Sequence, residues 1–423
     1  MTMISGNSEL LVQAVASNHR ELFRQEAIAL GGRMFESNGV SWTSGTPHST
    51  SMIAFPEMDA GIAGQRLDEI IAFYLREPPG GAACWALDPS VPADLGVRLL
   101  ARGFQPGWRP HWMAADLSQM PDQHPEPRNL RIVPDNESSL LAVQDLPYAR
   151  VVVPDPSNAA FPGQWTRFVA SLRGKVVGQS VVFLTSGPLG VAGIYHVGVV
   201  PGSRGQGIGK AVTRAACLYA QERGYRFAVL NSTEAGKRPY GQLGFWSTGD
   251  GWTWWLKTER LLAQPPDPFQ VGIAEAVGRG DDAALRALSE RTGKTEVDTP
   301  LTNGMSLVEL AVQCGQSGAA DWLIARGAEY SVLDAWDLGW KDRARQLLRS
   351  DPEQIRRLYG NEEKNLLHIA AERNDEALAE LALAAEADLK WRDNTWNSTP
   401  LEWANHFGYP NIARMIRERG RFR

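Results

Sequence analysis

The chain has 423 residues, room for two to four domains, and its 43% hydrophobic against 22% charged residues is the balance of a globular protein with ample core. A formal net charge of −5 argues against a nucleic-acid-binding or anionic-membrane surface. Three scattered cysteines (Cys84, Cys217, Cys314) suit neither a disulfide framework nor a metal cluster, and no leader or long apolar run opens the chain, so the expected location is the cytoplasm.

Residues 1–120 read as an α/β mixture. "QRLDEIIAFYL" sets Leu67, Ile70, Ile71 and Tyr74 on one helical face, "LGVRLLARGF" predicts a short helix ending at Gly103, and "PHWMAADL" predicts a strand. The proline-rich "PDQHPEPRN" (121–129) breaks the pattern. In residues 129–262, "RFVASLRG", "KVVGQSVVFLTSG" and "VAGIYHVGVV" predict three strands joined by Gly/Ser turns. A glycine-rich stretch, the amphipathic helix "KAVTRAACLYAQERG", the strand "RFAVLN", a short helix and the strand "GWTWWLK" follow. Strands followed by helix and strand predict an α/β (α+β) domain on one central sheet.

Past "AQPPDP" (263–268) only paired helices are predicted. The segments 304–329, 365–389 and 398–420 align with one another, with T-P-L-H-x-A-like starts at Ser306, Asn365 and Thr399; "LLHIAA" and "TPLEWA" carry the match best. Residues 268–423 thus resemble four or five ankyrin repeats, an all-α solenoid in which each pair buries its apolar face on its neighbours. Trp322, Trp336, Trp340, Trp391, Trp396 and Trp403 are large for such positions and suit a recognition surface. The array is expected to contact a protein partner or the acceptor; the plainer alternative is a stabilising wall.

The chemistry centres on "VGVVPGSRGQGIGKAV" (197–212), where a strand feeds glycines into a helix start. Such a junction gathers free backbone N–H groups at the positive end of a helix dipole, an anion site. A Walker loop fails because Ala211 follows Lys210 where a magnesium-binding Ser or Thr is required, and the Rossmann G-x-G-x-x-G pattern is not matched. Arg204, Gly207 and Gly209 instead resemble the R/Q-x-x-G-x-G/A signature of the GNAT acyltransferase superfamily, and "RPYGQLGF" (238–245) resembles its Y-x-x-x-G-F block.

That resemblance covers roughly residues 130–257 and implies acetyl-CoA as co-substrate, with no metal. It implies that main-chain groups of Val197, Gly198 and Val199 pair with the pantetheine arm, and that Arg204, Gly205, Gln206, Gly207, Ile208, Gly209 and Lys210 hold the pyrophosphate. Asn231 would bind the pantetheine, and Tyr240 would protonate the leaving thiolate. Many family members place Glu on the central strand where Tyr195-His196 stand here. His196 is the leading candidate base, with Glu234, Asp155 and a water held by Ser232 as alternatives, because an attacking amine must first lose a proton.

In residues 1–120, "LGVRLLARGF" and the strand behind it echo the end of the second segment without a glycine loop. They resemble a degenerate GNAT half that walls the acceptor pocket, and Trp165, Phe161 and Trp246 would line that pocket or pack in the core. The expected activity is N-acetylation of a small primary amine, such as an amino-bearing antibiotic, by direct attack in a ternary complex; the acidic net charge favours a cationic acceptor. The alternatives are a protein or peptide N-acetyltransferase recruiting its target through the repeats, and a non-catalytic coenzyme A-binding regulator.

Overall fold

The computed structural model describes residues 8–121, 127–151, 164–360 and 362–421. The chain divides into two compact units, Met1–Asp267 and Pro268–Arg423.

The first unit starts with α1 (Ser8–Ala29), then β1 (Arg33–Ser37), β2 (Val40–Ser44), β3 (Thr50–Ala54), α2 (Ala60–Arg76), β4 (Gly81–Leu87), α3 (Leu95–Ala101), β5 (Gln105–Pro106) and β6 (His111–Asp116). The predicted face of α2 is buried through Leu67, Ile70, Ile71 and Tyr74. Helix α1 escaped the sequence reading because its inner face mixes apolar Leu11, Val15 and Leu22 with the polar side chains of Asn18, His19 and Gln25, all buried. A second series follows: β7 (Leu130–Pro134), β8 (Trp165–Leu172), β9 (Lys175–Leu184), β10 (Ala192–Val199), α4 (Ile208–Glu222), β11 (Phe227–Ser232), α5 (Glu234–Gly241), β12 (Trp246–Leu256) and α6 (Thr258–Ala263).

All twelve strands share one sheet, ordered β1-β2-β3-β4-β12-β6-β11-β10-β9-β8-β7 with β5 beside β12. The order crosses the proline-rich break three times. β6, from the first series, lies between β11 and the start of β12. The far end of β12, from the second series, lies between β4 and β5. Each series thus donates a strand to the other, so the segments 1–120 and 129–262 complete a common sheet rather than two separate ones.

Alternation along the strands builds a core on each face. Phe227 and Val229 of β11 join Trp85, Trp112 and Ala114 beneath α1. Ala228 and Leu230 face Ala216, Cys217 and Ala220 of α4. Helix α1 is also tied to the second series by buried polar contacts. Tyr195 donates from its hydroxyl to Asn18 Oδ1 at 2.6 Å, and Trp165 Nε1 donates to Gln25 Oε1 at 2.6 Å. The approach is close enough that a Cβ on Gly193 would stand 2.1 Å from Asn18 Oδ1.

The second unit is built of paired helices: α7 (Pro268–Arg279) with α8 (Asp282–Leu288), and, past the short α9 (Lys294–Asp298), α10 (Leu307–Gln313) with α11 (Ser317–Ile324). Then come α12 (Val332–Asp337) with α13 (Lys341–Ser350), α14 (Leu366–Arg373) with α15 (Glu376–Ala384), and α16 (Pro400–His406) with α17 (Pro410–Gly420). The first helices of the last four pairs are N-capped by the side chains of Ser306, Ser331, Asn365 and Thr399. Among the described residues, no helix of the chain is long and apolar enough to cross a membrane.

Candidate active site

Strands β10 and β11 run parallel and pair only at Ala192–Ala228 and Gly193–Val229. Beyond Gly193 the ladder between them stops, so the stretch of β10 that includes Val197–Val199 is not bonded to β11, and the Val199 carbonyl accepts from Arg204 Nε instead. Separation is aided by a bulge: the β9–β10 register shifts between Tyr195 and Gly198, and His196 adopts φ +51°. Left-handed backbone is unfavourable for a side chain with a Cβ and is concentrated at functional sites.

The loop after β10 delivers the glycines. Gly205 (φ +75°) and Gly207 (φ +83°) take conformations that favour glycine, and Gly207 caps α4. Open space surrounds the position a Cβ would occupy on Gly205. The first-turn N–H groups of α4, which lack intrahelical acceptors in any helix, lie beside a cleft of ≈ 400 Å³ lined by Arg204, Gly205, Gly207, Gly209, Lys210 and Arg238. Three cationic side chains, free N–H groups and a helix dipole make this an anion cradle. Lys210 Nζ donates to Gln242 Oε1 at 2.8 Å, and Arg204 Nε to the Val199 carbonyl at 3.2 Å, which places both along the wall. Arg238 was missed in the sequence because it lies 28 residues past Lys210, in α5 beyond α4 and β11. Asn231 and Ser232, at the end of β11, pair with Trp112 and His111 of β6. Ser232 is buried and its hydroxyl donates to the Thr233 carbonyl.

Tyr240, on α5, packs edge-to-face on Phe245 with ring centroids 6.0 Å apart. Burial, reinforced by neighbouring Tyr148 and Cys217 and opposed by a hydrogen bond with Thr213, pushes its phenol up to about 12. Tyr148 is the bridge the sequence did not reveal. It is exposed, has φ +60°, and its ring lies 5.4 Å from that of His196. His196 Nε2 is 3.0 Å from Glu26 Oε1, so a carboxylate of α1 orients the imidazole of β10. Beyond this pair opens a pocket of ≈ 390 Å³ lined by Phe23, Glu26, Thr43, Met52, Tyr148 and Arg150, among others. Residues of the first series thus wall it.

The other expected site residues fall elsewhere. Glu234 is exposed and engaged by His111 Nε2 at 3.0 Å and Lys237 Nζ at 2.8 Å; the Lys237 hydrogen bond, with Lys237 and His111 charge, holds its carboxyl below the usual range. Trp165 is core, and Trp246 stands exposed on β12, so neither lines the ≈ 390 Å³ pocket. Asp155 and Phe161 lie outside the described residues. Cys84 and Cys217 are buried, which pushes their thiols well above the ordinary range. Among the described residues no group of three or more His, Cys, Asp or Glu side chains could hold a metal.

Residues 141–245 match the model of the acetyltransferase (GNAT) family. Over this segment the chain is similar to GNAT acetyltransferases. The matched stretch begins ahead of β8 and ends at Phe245, so it contains the β10–β11 gap, the glycine loop and Tyr240. Solved structures similar to the chain include a GCN5-related N-acetyltransferase from Kribbella flavida, 18% identical with a TM-score of 0.45, covering 57% of this chain and 93% of that one. Another is a GCN5-related N-acetyltransferase from Sphaerobacter thermophilus, 17% identical, TM-score 0.37, over 54% and 76% of the two chains. A tandem GNAT protein from the clavulanic acid biosynthesis pathway, without AcCoA, is 15% identical with a TM-score of 0.37 over 54% and 79%. No curated protein matches the chain.

Proposed function

We propose that the GNAT domain transfers an acetyl group from acetyl-CoA to the primary amine of a small molecule, by direct attack in a ternary complex. The observation that carries this reading is the parting of β10 from β11 directly above a glycine-capped helix start. A free strand edge and an anion cradle, joined end to end, fit a ligand with an amide-bearing arm and a pyrophosphate. Val197, Gly198, Val199 and Asn231 would hold the arm; Arg204 to Lys210, with Arg238, would hold the pyrophosphate.

The thioester supplies the acyl group, and the protein's residues manage protons. Oriented by Glu26, His196 accepts the proton that the amine must lose as its nitrogen bonds to the acyl carbon. Tyr240 hydrogen-bonds the sulfur as the carbon–sulfur bond breaks. With a phenol near 12 against about 8.5 for a free thiol, full proton transfer in water would be uphill by roughly 5 kcal/mol. Tyr240 therefore acts first as a donor held neutral, and the proton crosses only as far as the thiolate's own basicity is raised in the same dry pocket.

Gly207→Glu tests the cradle by placing a carboxylate where the pyrophosphate would lie. Acetyl-CoA affinity measured by calorimetry is expected to be lost in a variant whose circular dichroism is unchanged; retained affinity overturns the assignment. The helix pairs of the second unit support an ankyrin reading, since their N-caps Ser331, Asn365 and Thr399 recur every 34 residues. A protein acceptor is the second reading, favoured by a ≈ 530 Å³ pocket there whose lining includes the exposed aromatic rings of Trp396 and Phe407. Coenzyme A release from a panel of amines and lysine peptides separates the two.

A further inference from the structure

We propose that the acceptor is an amine that also carries a carboxylate, an amino-acid-like zwitterion rather than a polycation. The inference rests on the reading that the ≈ 390 Å³ pocket beside His196 receives the acceptor. Its lining decides the charge of the guest. Among the described lining residues, Glu26 supplies the one carboxylate, and that carboxylate already faces His196 at 3.0 Å. A polyamine or aminoglycoside brings several ammonium groups, each costly to strip of water without a partner. One engaged carboxylate cannot meet them. It does suit a single ammonium that is to be deprotonated at the neighbouring imidazole.

The rim carries the opposite sign. Arg150 and His48 line the same pocket and are exposed, whereas Phe23 lies buried at its floor. Arg150 is the one permanently charged cation of the described lining, and a guanidinium presents two parallel donors that match a carboxylate. Buried Thr43 and Ser44 add donors. The Thr43 hydroxyl oxygen accepts from Met52 N at 2.8 Å and that of Ser44 from Arg33 N at 2.9 Å, which leaves each proton to give. The Glu26 carboxylate, the exposed Arg150 guanidinium and the Thr43 and Ser44 hydroxyls of one lining offer partners to both ends of a zwitterion. The acidic charge of the whole chain, which favoured a cationic guest, is not expressed here.

The test uses the full chain with saturating acetyl-CoA and follows coenzyme A release from matched acceptors: α- and ω-amino acids, their amides, the decarboxylated amines, and spermidine. The expected result is that an amino acid exceeds its amide and its decarboxylated partner in kcat/KM by roughly tenfold, the scale of one charged hydrogen bond. Arg150→Ala should bring that ratio close to one, and Arg150→Lys should restore part of it. The inference is overturned if spermidine or the decarboxylated amines are equal or better acceptors, or if Arg150→Ala slows all acceptors alike. Binding of acetyl-CoA with no turnover of any amine defeats the acceptor-site reading itself, and the inference with it.

Discussion

His196 holds a backbone conformation that costs on the order of 1–3 kcal/mol and gains from it a side chain aimed at Glu26 rather than along the pleat. The proton chemistry proposed for Tyr240 on α5 gives one prediction. Tyr240→Phe should lower kcat by about 100-fold with acetyl-CoA affinity intact. Because the phenol keeps its proton up to about 12, the loss should be the same at every pH from about 6 to 10. A deficit that narrows on the alkaline side would mean that the phenol ionises in that range, and no deficit at any pH would mean that Tyr240 is not the donor. A second prediction concerns His19, buried among Phe23, Phe55, Trp85, Trp112 and Tyr195. Burial, aided by His196, depresses its pKa from 6.5 to about 3. The folded protein thus keeps this ring neutral while the unfolded chain binds a proton below 6.5, so the stability it contributes is complete above that pH and is lost as pH falls toward about 3. Between pH 7 and pH 5 the loss amounts to roughly 2 kcal/mol, from ~1.36 kcal/mol per unit. His19→Phe should shrink the difference between urea unfolding curves at these two pH values; an unchanged difference would show that His19 is charged in the fold.

At the scale of elements, the reciprocal placement of β6 and β12 makes each series incomplete alone. Expressed separately, residues 1–120 and 127–267 should each lack a cooperative melting transition and should recover one when co-expressed; a cooperative melt from either alone would refute the dependence. This is also where the sequence stopped being readable. Local pattern disclosed the α2 face, the glycine turn at Gly205–Lys210 and the strand–helix order around it, because periodicity and left-handed turns are properties of neighbours along the chain. It disclosed neither the His196–Glu26 pair nor the strand exchange, since both join residues more than a hundred positions apart. Helix α1 stayed hidden for a related reason: Asn18 and Gln25 look solvent-facing until Tyr195 and Trp165 are seen to satisfy them. The tryptophans of the second unit mislead in the opposite direction. Trp336 and Trp403 are buried and donate to Asp375 and Asp393, Trp391 donates to the Glu363 carbonyl, and Arg326 and Arg343 stack on Trp322 and Trp340. Only Trp396, 70% exposed, has the openness of a recognition residue.

For the whole molecule, the division at Asp267 predicts that a chain ending there keeps its acetyl-CoA affinity within about twofold, because every residue of the proposed cradle lies in the first unit. A large fall in affinity would show that the helix pairs brace the first unit. The sheet of that first unit also sets an order of events during synthesis. β12, among the last elements of its unit to leave the ribosome, occupies a place near the middle of the sheet, between β4 and β6. At the usual 5–20 residues per second, about 140 residues separate β6 and about 170 separate β4 from the end of β12, so their open edges wait roughly 7–28 s and 8–34 s. During that interval the nascent chain displays two unpaired strands that any other extended segment could join. The newborn protein is therefore most exposed to aggregation, and most in need of a chaperone, just before Leu256 is added.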